Sequence, residues 1–225
     1  MKHKLIQTAD GSRTLYLPEM DEQYHSVNGA LTESNYVFIE KGYHFHPAEG
    51  PVVFEVGFGT GLNCLLTVLW ATKNKRPTLY YTIEKYPLDN LWIKALNYGG
   101  PISEEAKTLF TTIHECEWGK TVEVTEYFKL HKIKADLTEA AVTGLEKFDV
   151  VYFDAFGPDK QPEMWTPEIF RKIFSQCSPG AVLVTYSAKG EVRRQLSAAG
   201  FVMERLPGPP GKKEMLRGIK NISKL

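Results

Sequence analysis

From residue 52 onward, short apolar runs alternate with segments whose apolar residues recur every three or four positions. Val52, Val53, Phe54 and Val56 form a nearly continuous run bounded by Pro51, the pattern of a parallel strand buried on both faces. Leu62, Leu65, Leu66 and Leu69 then fall at helical spacing. The same reading predicts strands over 79–83, 121–127, 148–153 and 181–186, with helices over 60–71, 88–96, 104–111, 138–142, 167–175 and 191–199. Two last strands, 201–206 and 214–219, are joined by Gly-Pro-Pro-Gly at 208–211, a connection so short that the pair must be antiparallel. Alternating strands and helices predict an α/β fold, a doubly wound, mostly parallel, seven-stranded sheet closed by one antiparallel hairpin. Residues 1–50 read differently. Leu5 to Gln7 and Arg13 to Leu17 alternate like a small hairpin around Ala9-Asp10-Gly11, and a polar stretch with Tyr24 and Tyr36 suits a segment folding over the core's ligand. The expected division is an N-terminal β extension over 1–50 and the main domain over 51–225.

The chemistry concentrates where strand gives way to helix. Gly57, Gly59 and Gly61 stand between Val56 and Leu62, so the backbone can approach a ligand and the first helical N–H groups face it. The spacing G-x-G-x-G is not the dinucleotide G-x-G-x-x-G, and the turn lacks the Gly-Lys-Ser/Thr ending of a phosphate-binding loop. With Glu55 it becomes E-x-G-x-G-x-G, which resembles motif I of the class I S-adenosylmethionine (SAM) methyltransferases. Glu84 ends the second strand, where an acid is placed to bind ribose hydroxyls. Asp154 ends the fourth, at the edge where open α/β sheets bind ligands, and Met164 and Trp165 follow in a proline-rich loop.

Composition narrows the setting. The 225 residues carry no formal net charge, but from Lys189 to the end nine Lys/Arg face three acids, so the last sixth is +6 and the rest −6. A basic end on a neutral chain suits a polyanionic partner. Cys64, Cys116 and Cys177 lie far apart without metal-ligand or disulfide spacing, and His44 and His46 lack a third ligand nearby, so no metal is expected. No apolar run approaches the roughly 18 residues of a membrane span, and the N-terminus has no signal-peptide core, so a cytoplasmic protein is expected.

Several stretches together resemble one family, the MnmC-like methyltransferase domain that uses SAM on the wobble uridine of tRNA. They are SVNGALTESNYVF (26–38), EVGFGTGLN (55–63), IEKYPL (83–88), ADLTE (135–139), DAFGPDKQPEMW (154–165), the segment 187–201 and GKKEMLRG (211–218), with Gly157 and Gln161 where the family pattern has Ala and Asn. The resemblance implies N-methylation of a 5-aminomethyl-(2-thio)uridine in the anticodon stem-loop. It further implies a chain lacking the family's flavin-dependent oxidase domain, so that a separate oxidase or other upstream tRNA-modifying enzymes would supply the amine. It assigns the cofactor to Gly57, Gly59 and Gly61 with Glu55, to Asn63 at the methionyl end, Glu84 at the ribose and Asp136 at the adenine amino group, with Glu33 and Tyr36 closing over the methionine part. For tRNA it suggests Lys160, Lys189, Arg193, Arg194, Lys212 and Lys213 at phosphates, and Phe156 and Trp165 at the base.

A sulfonium-activated methyl needs neither metal nor covalent nucleophile, only an amine held in line with the breaking bond. Asp154 is the expected catalytic residue, positioning that amine and adjoining the cofactor. Methylation of another RNA or of a small-molecule amine, a binding module without catalysis and a dinucleotide oxidoreductase are the competing readings.

Overall fold

The computed structural model describes residues 3–221. Strands β1 (Lys4–Gln7), β2 (Arg13–Leu17) and β3 (Glu22–Gln23) make a small antiparallel sheet. Helix α1 (Ala30–Ser34) continues into a π-helical stretch, Asn35–Tyr43. The main domain follows as β4 (Val52–Val56), α2 (Leu62–Lys73), β5 (Thr78–Glu84), α3 (Asn90–Leu96), α4 (Glu104–Glu115), β6 (Thr121–Thr125), β7 (Phe128–Lys134) and β8 (Phe148–Phe153). It ends with α5 (Pro167–Gln176), β9 (Cys177–Thr185), α6 (Gly190–Ala199), β10 (Phe201–Pro207) and β11 (Glu214–Lys220).

The large sheet has the order β10-β11-β9-β8-β4-β5-β7-β6, with parallel pairs from β9 across to β7 and antiparallel pairs at both edges. From β4 the chain winds outward through β5 and β7, then returns to β8 and β9 on the other side. That reversal opens a crevice at the carboxyl ends of β4 and β8, where such sheets bind ligands. Every residue of β4 is buried, as its unbroken apolar run predicts. Phe54 stacks on Phe148 across the β4–β8 pair, ring centroids 4.3 Å apart. One apolar layer under α2, α4 and the π-helical stretch and another under α5 and α6 sandwich the sheet.

Three expectations need correction. The strand expected over 121–127 is the short β6, and the third parallel strand is β7, which makes eight strands rather than seven. FKLHKIK hides that strand behind lysines, yet Lys132 is 1% exposed, its ammonium over the rings of Trp118 and Phe58 and donating to His114 O. The helix expected over 138–142 is absent. Asp136 Oδ1 instead accepts from Thr138 N and Oγ1, an Asx-type turn that competes with a helical start. Finally, the second half of the N-terminal segment is helical and sits in the main core, with Phe38 5.2 Å from Tyr152 and Gly42 against Val184.

Candidate active site

Glycine chemistry shapes the crevice. Gly57 has φ +90°, and a Cβ there would come within 2.9 Å of Asp154 O, so only glycine lets the turn after β4 lie this close to the end of β8. Gly61 takes a left-handed φ of +74° at the start of α2, which accounts for the helix beginning at Leu62 rather than Thr60. No side chain caps that helix, so its first N–H groups remain available to a ligand. The crevice deepens into a cavity of about 940 Å³, the size of a nucleoside-bearing cofactor together with part of an acceptor.

On one wall Glu84 Oε2 accepts from Gly59 N at 3.0 Å and Oε1 from Tyr86 N at 2.7 Å. The acid at the tip of β5 thus fastens the glycine turn while still facing the cavity. Asp136 lies nearby, and Lys85 Nζ donates to it at 2.6 Å. That lysine, with the Thr138 hydroxyl, brings the Asp136 carboxyl down to about 2.

At the centre stands Asp154. Its backbone N–H donates to Val56 O, and Asn63 Nδ2 donates to its Oδ2 at 2.8 Å. Protein surrounds it on every side but the cavity, and this desolvation pushes its carboxyl up to about 7. The Asn63 amide works against the shift, the Glu33 carboxylate adds to it and Lys212 opposes it. Beneath lies Glu55, fully buried and accepting from Thr82 Oγ1 at 2.8 Å, its carboxyl raised well above the usual range by desolvation.

The described residues fit a bound SAM on two observations besides the turn. Asn63 Oδ1 is a buried acceptor without a hydrogen-bond partner among the described residues, on a residue that lines the cavity. Glu84 and Asp136 keep lone pairs toward the cavity for hydroxyl and amino donors.

The sequence expectations divide here. Glu33, Gly57, Gly59, Asn63, Glu84, Asp136, Asp154, Phe156, Lys160, Lys189, Lys212 and Lys213 all border the cavity. Tyr36 does not, and its hydroxyl donates to Pro207 O. Glu55 supports the floor without reaching the cavity, and Gly61 lies one step behind it. Trp165 is 3% exposed, packed edge-on to Phe153 at 4.8 Å with its Nε1 donating to Phe156 O, so it offers no face to a base. Arg193 and Arg194 sit on α6 away from the cavity lining. Lys212 points inward and pairs with Glu33.

Tyr24, in the stretch read from the sequence as folding over the ligand, stands on the cavity wall, while His25 and Tyr186 are wall residues that carry no motif. Tyr24 lies over Gly59, with a Cβ there only 3.1 Å from its ring, and sits edge-on to Phe156 at 5.0 Å. His25 bonds Thr60 Oγ1 at 2.8 Å, and burial lowers it to about 4. Tyr186 donates to Ala155 O at 2.8 Å.

A family model described as S-adenosyl-L-methionine-dependent methyltransferase matches residues 101–221, more than half of the chain. The chain belongs to this methyltransferase family. The methyltransferase is also similar to the tRNA 5-methylaminomethyl-2-thiouridine biosynthesis bifunctional protein MnmC of Pseudomonas putida, 30% identical over 236 residues that cover 97% of this chain and 35% of that protein. The counterpart in Aeromonas hydrophila is 30% identical over 220 residues, covering 89% and 33%. The methyltransferase therefore spans about a third of the length of these curated relatives. Its fold superimposes on MNMC2 from Aquifex aeolicus with a TM-score of 0.80 at 26% identity, covering 99% of this chain and 71% of that one. Spermidine synthase from Thermotoga maritima shares the fold alone, with a TM-score of 0.62 at 14% identity. Among the described residues no helix is long and apolar enough to cross a membrane, and no group of three or more His, Cys, Asp or Glu is arranged to hold a metal.

Proposed function

We propose that this methyltransferase N-methylates the aminomethyl group of 5-aminomethyl-(2-thio)uridine at the tRNA wobble position, giving the 5-methylaminomethyl product. The observation that carries the reading is Asp154, a carboxylate at the sheet's reversal point, held on one oxygen by Asn63 and open on its cavity side. The relatives' role in tRNA 5-methylaminomethyl-2-thiouridine biosynthesis supports the choice of acceptor.

SAM, when bound, supplies a methyl group already activated on a sulfonium, and Gly57, Gly59, Asn63, Glu84 and Asp136 are the residues that would hold it. Asp154 Oδ1 accepts a hydrogen bond from the acceptor amine and so aims the nitrogen lone pair. An alkylamine of the lysine type, with a free pKa of about 10, is mostly protonated at neutral pH, so it has to shed a proton before it can be methylated. A carboxylate raised to about 7 is matched to holding that proton at Oδ1 near the working pH. Tyr24, Phe156 and Tyr186 exclude water around it. Lys160, Lys189 and Lys213 at the cavity rim suit the phosphates of an anticodon stem-loop. Its acceptor must arrive with the amine unmasked, which places an oxidase or other tRNA-modifying enzyme upstream.

Nucleoside mass spectrometry of aminomethyl-bearing tRNA incubated with the protein and SAM tests this. The expected result is a methylaminomethyl-uridine product. Methylation only of a free amine, or of a different nucleoside, would overturn the assignment.

A further inference from the structure

Lys212 is turned inward onto a buried partner, unlike a lysine free to meet a phosphate. Its ammonium pairs with the Glu33 carboxylate and lies over the face of Tyr186, 4.1 Å from the ring centroid. The Tyr186 hydroxyl donates to Ala155 O, one residue past Asp154, and Glu33, Lys212, Tyr186 and Asp154 all line the same cavity. Two carboxylates and an aromatic face are the recognition chemistry of an organic ammonium.

Three walls of this box are fixed without help from Lys212. Glu33 Oε2 accepts from Ser26 N at 2.9 Å, and the Glu33 N–H donates to Gly29 O at 3.0 Å. The Tyr186 hydroxyl is anchored on Ala155 O, and Asp154 on Asn63. Lys212, in contrast, projects from the turn between β10 and β11, where Lys212 N donates to Pro209 O and Gly208 N to Lys213 O. Its occupancy of the box rests on side-chain contacts alone.

Glu33 has a side chain only 7% exposed. Were Lys212 to leave for a phosphate, a buried carboxylate would stay behind without a counter-charge, which is strongly unfavourable. Lys212 can therefore leave readily only if another cation takes its place. Its own terminus, a primary ammonium on a methylene, is chemically the group the proposed acceptor carries.

We infer that Lys212 occupies, in the free protein, the subsite for the substrate's aminomethyl ammonium, bounded by Glu33, the Tyr186 face and Asp154, and swings out when that group enters. This rests on the reading of the acceptor as an alkylamine. The exchange keeps Glu33 paired and delivers the amine to Asp154. It also gives selectivity, because a neutral hydroxymethyl group in the same place would leave Glu33 without a cation. Lys212 thus acts as a self-occluding occupant whose removal frees the subsite.

The experiment is calorimetric titration of the SAM-loaded protein with 5-aminomethyluridine and, separately, with the neutral 5-hydroxymethyluridine. Wild type should prefer the amine. Lys212→Met should bind the amine about tenfold more tightly, the factor expected if Lys212 fills the box nine-tenths of the time, and bind the alcohol as before. Glu33→Gln should abolish the preference. A shift of the Lys212→Met melting temperature by 5-aminomethyluridine larger than that of wild type gives the same answer should Glu33→Gln fold poorly. Unchanged or weaker amine binding by Lys212→Met, or equal treatment of the two nucleosides by wild type, would overturn the inference. The tRNA product assay is read separately, so failure of the acceptor assignment and failure of the box can be told apart.

Discussion

Asp154 is where stability and chemistry oppose each other. Desolvation raises its carboxyl to about 7, so between roughly pH 4, where the unfolded chain ionises, and pH 7 the folded state keeps a proton the unfolded state has lost. Folding stability therefore falls as pH rises through that window and levels off above it. Asp154→Asn removes the ionisation, and we expect it to raise stability by about 1–3 kcal/mol at pH 8 and by little at pH 4. The same substitution should slow single-turnover methylation by 10²-fold or more, within the usual range for a lost acid–base group. In wild type that rate should climb with pH through about 7, and the variant should lack the step. Denaturant melts and rapid-quench assays at both pH values check the two halves, and an unchanged rate would remove Asp154 from the chemistry. This residue was legible in the sequence because a carboxylate ending an apolar strand of an open sheet has few structural uses. Lys212 was not, because charge count alone does not distinguish an ammonium on the surface from one folded back onto Glu33 across 179 positions of chain.

At the scale of elements, apolar runs disclosed β4 and β8 to the residue, since strands covered on both faces are nearly continuous apolar runs, broken here only by Glu55 and Asp149. What stayed hidden was β7, whose buried Lys132 depends on aromatic rings from α4's flank and the glycine turn, partners that local pattern cannot supply. The loop after β8 misled in the opposite sense. Its tryptophan looks like a base-stacking platform in the sequence, but the Pro162–Met164 3₁₀ turn folds it inward to lie edge-on to Phe153 and bond Phe156 O. Trp165 thus fixes the backbone that carries Phe156, a cavity residue. Trp165→Phe should lower stability by about 1–3 kcal/mol by leaving the Phe156 carbonyl without its buried donor. Affinity for tRNA should stay within twofold, where loss of a true stacking contact would cost about 1–3 kcal/mol in binding. Thermal melts and filter binding measure both, and intact stability with lost tRNA affinity would restore the stacking role.

Across the whole molecule, the basic end that the sequence presents as one patch separates into three populations. Arg217 is buried, paired with Glu204 at 2.6 Å and over the ring of Phe45, and Lys220 donates to Phe174 O and Cys177 O, so both serve the fold. Lys212 is turned into the site, Arg205 is exposed on β10 at 3.9 Å from Glu214, and Lys224 lies outside the described residues. Lys189 and Lys213 remain at the cavity rim, with Arg194 exposed on the next turn of α6 and Arg193 half-buried beside it. Lys189 is paired with Asp159, an exposed contact that a phosphate could replace at little cost. Phosphate binding releases counterions, so tRNA affinity should fall with salt at a log–log slope of about −0.7 to −0.9 for each phosphate engaged. The Lys189→Ala/Lys213→Ala double variant should weaken tRNA binding and flatten that slope by about 1.4 to 1.8, while SAM affinity holds. Arg217→Ala should instead lower the melting temperature and leave the slope in place, because its charge is already spent on Glu204. A salt titration by filter binding across wild type and the two variants decides it. An unchanged slope in the double variant would make the rim a solvated surface and move the tRNA contact to another face.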